Sequence, residues 1–204
     1  MTQSKHSQNY WRRRTASVSR WLHIYLSMVS FAIVFFFAVT GLTLNHTEWF
    51  SGQERSAQLK GNVESKWIKT DDAAVDKLSV VEHLRRAHSI KSALSDFRLD
   101  ETQVSVSFKG PGYAADAFIN RESGEYELTE TRHGFVAVLN DLHKGRDSGR
   151  VWSWVIDLSA ALMTFVSLTG MVLIYFVKKH RFNGLLLAVL GALVCLLIYR
   201  LWIP

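Results

Sequence analysis

Three stretches of the chain carry no charged side chain: Trp21–Thr47, Leu158–Val177 and Phe182–Tyr199. A helix rising about 1.5 Å per residue needs about 20 apolar residues to cross about 30 Å of hydrocarbon. The first two runs meet that length. The third, dense in leucine from Leu185 to Leu197, just reaches it and ends on Tyr199, Arg200 and Trp202, residue types that favour the headgroup layer. Three transmembrane helices are therefore expected, over 21–46, 151–177 and 182–202. A cleaved leader is a poor account of the first run, because a signal core spans only about 7–15 residues and no A-x-A-like site follows here.

Between the first two runs the period changes. Ser79-Val80-Val81-Glu82 reads as a capping box opening a short helix, with Val80, Val81, Leu84 and Ala87 on one stripe. Val104, Val106 and Phe108 then alternate with polar residues. Turn signals at 109–112 and 121–124 separate them from two more strands, Tyr113–Asn120 and Glu125–Thr131. The expectation is a helix followed by a three-strand antiparallel meander within one outer domain, residues 47–150. From Gly134 onward, Phe135, Val136, Val138, Leu139 and Leu142 predict an amphipathic helix near 134–144, lying along the membrane surface before Gly145 and Gly149 redirect the chain. The fold class is an α-helical membrane protein with a small α+β domain outside the bilayer.

Charge supplies the orientation. The tail, residues 1–20, holds Lys5, Arg12, Arg13, Arg14 and Arg20 without an acid, and the loop 178–181 reads Lys178-Lys179-His180-Arg181. Residues 47–150 instead hold 15 basic and 17 acidic side chains. Cytoplasmic segments are the ones enriched in Lys and Arg, so the N-terminus is expected inside, as a disordered basic tail, and the middle domain and C-terminus outside. The net charge of +6 is then a topology signal and needs no nucleic acid. With one cysteine, Cys195, the chain can form no internal disulfide, and it has no C-x-x-C-H for covalent haem attachment. No Ser/His/Asp, H-E-x-x-H or C-x-x-C arrangement supports a hydrolase, and three unbroken spans do not resemble a secondary transporter.

Four histidines punctuate the ends of the apolar runs. His23 opens the first and His46 follows it; His143 precedes the second and His180 follows it. Imidazole near a bilayer is costly unless bound, paired or reaching water. Four at one class of position point to haem at one or both faces, held non-covalently and therefore of b type. A haem that only passes electrons takes two neutral imidazoles. His46 and His143 form the expected outer pair. His23 and His180 share the inner interface and suit a second haem, within one subunit or across a dimer axis. His23 and His46 lie 23 residues apart, about 35 Å along a helix, too far to share one haem. Asp157, the one acid within a span, needs a partner: the ring N–H of a ligating histidine, or Arg146 and Arg150. Arg146, Arg150 and Lys144 are also placed to hold propionates. His83, His88 and His133 read as surface residues, and His6 belongs to the tail. The plainer account of the four flanking histidines is interfacial anchoring.

Two stretches echo each other. Leu22-His23 leads to Thr40-Gly41, and Leu142-His143 leads to Thr169-Gly170, on helices running in opposite directions. Gly41 and Gly170 remove bulk where another helix or a flat macrocycle approaches. Ala160, Thr164, Ser167 and Met171 form a further small-residue stripe expected at a helix contact.

Trp21-Leu22-His23 with Thr40-Gly41-Leu42-Thr43-Leu44-Asn45-His46, then Leu142-His143-Lys144-Gly145-Arg146 and Trp154 to Ser159, resemble the PepSY-associated transmembrane proteins. The outer helix and meander, with Asn120-Arg121-Glu122-Ser123-Gly124-Glu125, resemble a PepSY module. The resemblance spans about residues 11–181, and its membrane motifs are the more specific part. Members include haem-containing reductases of the bacterial inner membrane that release iron from ferric chelates or support ferrous iron uptake. The resemblance implies a ferric reductase with its main domain in the periplasm, fed by quinol or a cytoplasmic reductase. His23, His46 and His143 match motif histidines, while His180 falls where relatives more usually carry basic residues. Larger relatives have more membrane helices, which implies that a homodimer completes the bundle here. Glu48 is a hard oxygen donor at the outer face, of the kind that suits ferric iron. The rival reading is a cofactor-free, membrane-anchored PepSY sensor or partner-binding protein.

Overall fold

A computed structural model describes residues 2–68, 75–177 and 179–203, with side chains from residue 10 onward. Three helices, α1 (Thr2–Asn45), α4 (Gly149–Phe176) and α5 (Arg181–Trp202), bracket a domain built from α2 (Lys77–His88), α3 (Phe135–Lys144) and five strands. Their mean hydropathies of 2.2, 1.9 and 2.4 mark α1, α4 and α5 as long and apolar enough to cross a membrane. The second and third begin within two residues of their expected limits. α1 begins far earlier, because the basic tail is helical from Thr2 rather than disordered. Residues 2–20 contain no Gly or Pro, and their Arg, Lys, Gln and Ala are good helix formers. Lys178 of the expected basic loop lies outside the described residues, as do the side chains of Lys5 and His6.

The chain divides into two compact units. The first comprises Met1–Phe35 and Asp157–Pro204. Here α1 turns His23 and the buried Ser30 inward, and Ser30 satisfies its hydroxyl on the Ser27 carbonyl at 3.1 Å. The inward positions of α4 are Ser159, Leu162, Val166 and Thr169. The small-residue stripe lies elsewhere on α4: Ala160, Thr164, Ser167 and Met171 are all exposed. Thr164 and Ser167 turn their hydroxyls onto the helix's own carbonyls.

The second unit, Phe36–Ile156, holds the domain expected outside the bilayer, called the outer domain below. The expected meander is present as β3 (Gln103–Gly110), β4 (Tyr113–Asn120) and β5 (Glu125–Arg132), but the sheet has five strands in the order β1-β5-β4-β3-β2. All neighbours are antiparallel. The two strands that alternation did not reveal, β1 (Arg55–Asn62) and β2 (Ala93–Leu99), are the edges. An edge strand buries little: β1 is exposed over its first four residues, and β2 slips register between Leu94 and Asp96.

One face of the sheet makes the core. Val104, Val106, Phe108, Ala115, Ala117, Ile119 and Leu128 are buried against Val80, Val81 and Leu84 of α2. Ala87, expected on the same stripe, is exposed, and Ile90 just beyond the helix is buried in the core. The cap also sits one turn earlier than expected. Asp76 is the N-cap, accepting from the Ser79 amide at 3.0 Å and from its hydroxyl at 2.6 Å. Glu82 pairs with Arg85 at 3.0 Å. The helix closes on Ser89, in the left-handed region with φ 54°.

Two histidines read as surface residues pack around Tyr126. His88 Nε2 lies 2.8 Å from its hydroxyl, and the His83 ring meets Tyr126 edge-on and Trp67 at a tilt. Burial, opposed by Glu130 and aided by His83, lowers the His88 pKa from its ordinary value. The unfolded chain therefore takes this proton first. The stability that His88 contributes is whole above about pH 6.5 and falls as pH drops through that value towards the lower folded one. The protection of β5 amides in the full chain, with exchange rates referred to the intrinsic rate at each pH, is expected to fall between pH 7.5 and 5.5, and less so in His88→Gln. Leu84→Ala is expected to destabilise the outer domain by about 2–5 kcal/mol, seen in the same experiment as faster exchange across β3, β4 and β5.

Candidate functional site

α3 is tied to its surroundings at three successive residues. The Thr43 hydroxyl lies 2.6 Å from Asn140 Oδ1, Asp141 Oδ2 accepts the Gly112 amide at 2.9 Å, and the Trp152 indole N–H donates to the Leu142 carbonyl at 2.7 Å. Asn140 is buried. The helix stops at Gly145, whose φ of 69° suits glycine and whose amide caps the Asp141 carbonyl.

These ties bring His143 against the last turns of α1. Its Nδ1 lies 2.6 Å from the hydroxyl of Thr40, and its ring meets Phe37 edge-on at 5.0 Å. A Cβ added at Gly41 would lie 3.7 Å from His143 Cε1, so the glycine opens room for the imidazole. Thr40, only 2% exposed, donates its proton to the Phe36 carbonyl at 2.6 Å. Its oxygen can then only accept, so the proton in the contact belongs to His143 Nδ1. That leaves Nε2 as the nitrogen without a hydrogen-bond partner among the described residues.

The first unit contains the same arrangement. His23 Nδ1 lies 3.1 Å from the Val166 carbonyl and 3.1 Å from the Thr169 hydroxyl. The carbonyl can only accept, so Nδ1 again carries the proton. Thr169 likewise donates to its own helix, at the Val166 carbonyl, 2.9 Å away. A Cβ at Gly170 would sit 3.1 Å from His23 Cε1, a tighter fit than at Gly41. Histidine, threonine and glycine are thus combined twice, once in each unit.

The other expected site residues are placed differently. His46 Nδ1 meets Glu48 Oε1 at 3.1 Å, and its ring stacks on Trp49 with centroids 4.1 Å apart. The Glu48 carboxyl is held below its ordinary pKa by a backbone N–H and then by His46. His46 and His143 share no hydrogen bond or ring contact. His180 is the exposed N-cap of α5, and its side chain makes no cap bond. Asp157, Arg146 and Arg150 are exposed, and Asp157 has no hydrogen bond or ion pair among the described residues. His133 pairs with Glu54 at 3.1 Å. A cleft of about 380 Å³ opens beside Asn140, walled in part by Glu48, Glu54, His133, Asp141 and Lys144. Among the described residues no three His, Cys, Asp or Glu side chains converge as a metal cage.

Sequence reasoning found the histidines and glycines but missed Thr40, Thr169, Asn140 and Trp152. The signal for the threonines was present: each precedes the glycine in the repeated Thr-Gly pair. What periodicity lacked was the cross-partner, since His143 meets Thr40 and His23 meets Thr169 through folding alone.

A model of the PepSY_TM-like family matches residues 17–204. No curated protein matches the chain, and no solved structure does.

Alanine separates the two glycines. In a helix, Gly→Ala gains about 0.5–1 kcal/mol of backbone entropy. Gly41→Ala is expected to leave thermal stability of the purified protein unchanged or raised. Gly170→Ala, with 3.1 Å to the imidazole, is expected to lose that gain or lower the melting temperature.

Proposed function

The chain belongs to the PepSY_TM-like family, and from that premise we propose that it is a b-type haem protein of the bacterial inner membrane. It passes electrons outward to ferric iron, free or chelated, and so supports ferrous iron uptake. The carrying observation is His143, held with Nδ1 on Thr40 and Nε2 open. An imidazole that would hold haem iron needs one ring nitrogen open to the metal and an acceptor for the N–H of the other. His23 meets the same requirement through Val166 and Thr169, and His46 through Glu48. The residues present therefore fit the group. When bound, haem supplies one-electron exchange between ferric and ferrous iron.

The chain's own residues would bind and orient it. His143 and His46 serve the outer face, and His23, with His180, the inner. Arg146 and Arg150 are exposed cations suited to propionates. The apolar windows of α1, α4 and α5 are at most 6% buried in the single chain, which suits a homodimer whose second copy walls the haem from lipid. The basic side chains of residues 12–20 favour a cytoplasmic N-terminus and a periplasmic outer domain. Electrons enter from quinol or a cytoplasmic reductase. The cleft beside Asn140, with the carboxylates of Glu48, Glu54 and Asp141 in its wall, offers hard oxygen donors and hydrogen-bond acceptors to a ferric chelate.

Full-length protein purified from haem-replete cells is expected to give a reduced-minus-oxidised b-haem spectrum. A pyridine haemochrome assay is expected to find markedly less haem per chain in His143→Ala. A colourless wild-type preparation would sink the reductase reading and leave a cofactor-free, membrane-anchored partner-binding protein.

A further inference from the structure

We infer that Thr40 and Thr169 are matched positioning residues, each holding one histidine in the Nδ1–H form so that its Nε2 is presented as a ligand nitrogen. The chain thus contains two imidazole sites of one design, His143 with Thr40 and His23 with Thr169. For the identity of the ligand, the inference rests on the haem reading above.

Both hydroxyls are used in the same way. Each gives its proton to a carbonyl of its own helix, Thr40 to Phe36 and Thr169 to Val166. Back-bonding of this kind already satisfies a threonine in an apolar helix, so neither needs a histidine for its own sake. The oxygen is left as an acceptor facing an imidazole brought from another helix, and the following glycine leaves room for that ring. Reversing the tautomer would set two lone pairs against each other at 2.6 Å in the first site. In the second, a lone pair would face the Val166 carbonyl at 3.1 Å. One ring nitrogen is therefore committed as donor, and the other is free to bind a metal. A purely structural hydrogen bond would be indifferent to which nitrogen remains free.

The sites differ in redundancy. Thr40 is the only hydrogen-bond acceptor for His143 Nδ1 among the described residues, whereas His23 also has the Val166 carbonyl. Thr→Val keeps the shape and removes the acceptor, so Thr40→Val should disturb its histidine far more than Thr169→Val. Loss of a group that orients a metal-ligating histidine typically weakens binding by about 10–100-fold.

The test uses full-length protein in lipid nanodiscs as wild type, Thr40→Val, Thr40→Ser and Thr169→Val, each matched for melting temperature. Two readouts are taken: haem affinity with midpoint potential, and the histidine tautomers from 15N spectra of haem-free protein. Thr40→Val is expected to bind haem about 10–100-fold more weakly, or with a raised potential, and to lose the Nδ1–H signal of His143. Thr40→Ser is expected to restore both, and Thr169→Val to shift them only slightly. Wild-type values of both readouts in Thr40→Val would overturn the inference. If the wild type binds no haem but the His143 Nδ1–H signal, present in it, is lost in Thr40→Val, the positioning role stands and haem is removed as the ligand.

Discussion

An imidazole placed among apolar helices must find an acceptor for its N–H, because an unmet polar group there costs on the order of 1–3 kcal/mol or more. That requirement organises the membrane-facing parts of this protein. Each of two histidines arrives from one helix and is met by a threonine on another, with a glycine beside it that leaves space for the ring. The hydroxyl has already given its proton to its own backbone, so the direction of the bond is settled locally. The chemistry of the ring follows, since a nitrogen that must donate leaves its neighbour as a base.

Much of this was legible in the chain. Uncharged runs gave α4 and α5 within two residues, alternation gave β3 and β5, because these strands bury one face and turn polar residues to the other, and the turn signals on either side bounded β4. The edges β1 and β2 escaped for the converse reason: with one neighbour each and little burial, nothing forces an alternating pattern on them. The cap of α2 shows a finer limit. Ser79 and Glu82 have the spacing of a capping pair, yet Asp76 one turn earlier takes the role, and its carboxylate reaches both Ser79 donors. Two such signals one turn apart compete, and side-chain reach decides between them.

The histidines divide along the same line. Position along the chain marked all four interfacial ones, but not what each ring faces. His143 and His23 are drawn between helices, His46 lies on Trp49 beside Glu48, and His180 stays at the surface. His88 and His83, which no spacing rule favours, close around Tyr126, whose hydroxyl and ring give them partners. A histidine's role depends on the residues that folding brings near it, and only the repeated Thr-Gly pair carried that information in linear form.

The short corner between α3 and α4 has a consequence of its own. Three of its residues, Gly145, Asp147 and Gly149, take positive φ, at 69°, 56° and 80°, and Trp152 reaches back across it to the Leu142 carbonyl. Such a corner works as a fixed-length gauge. One residue more or fewer in the helix that it ends would turn the imidazole by about 100° and move it about 1.5 Å, out of line with its hydroxyl. A chain that keeps this partnership must preserve the phase of the turn that follows the helix, and the Gly112 contact that seats the helix on the sheet.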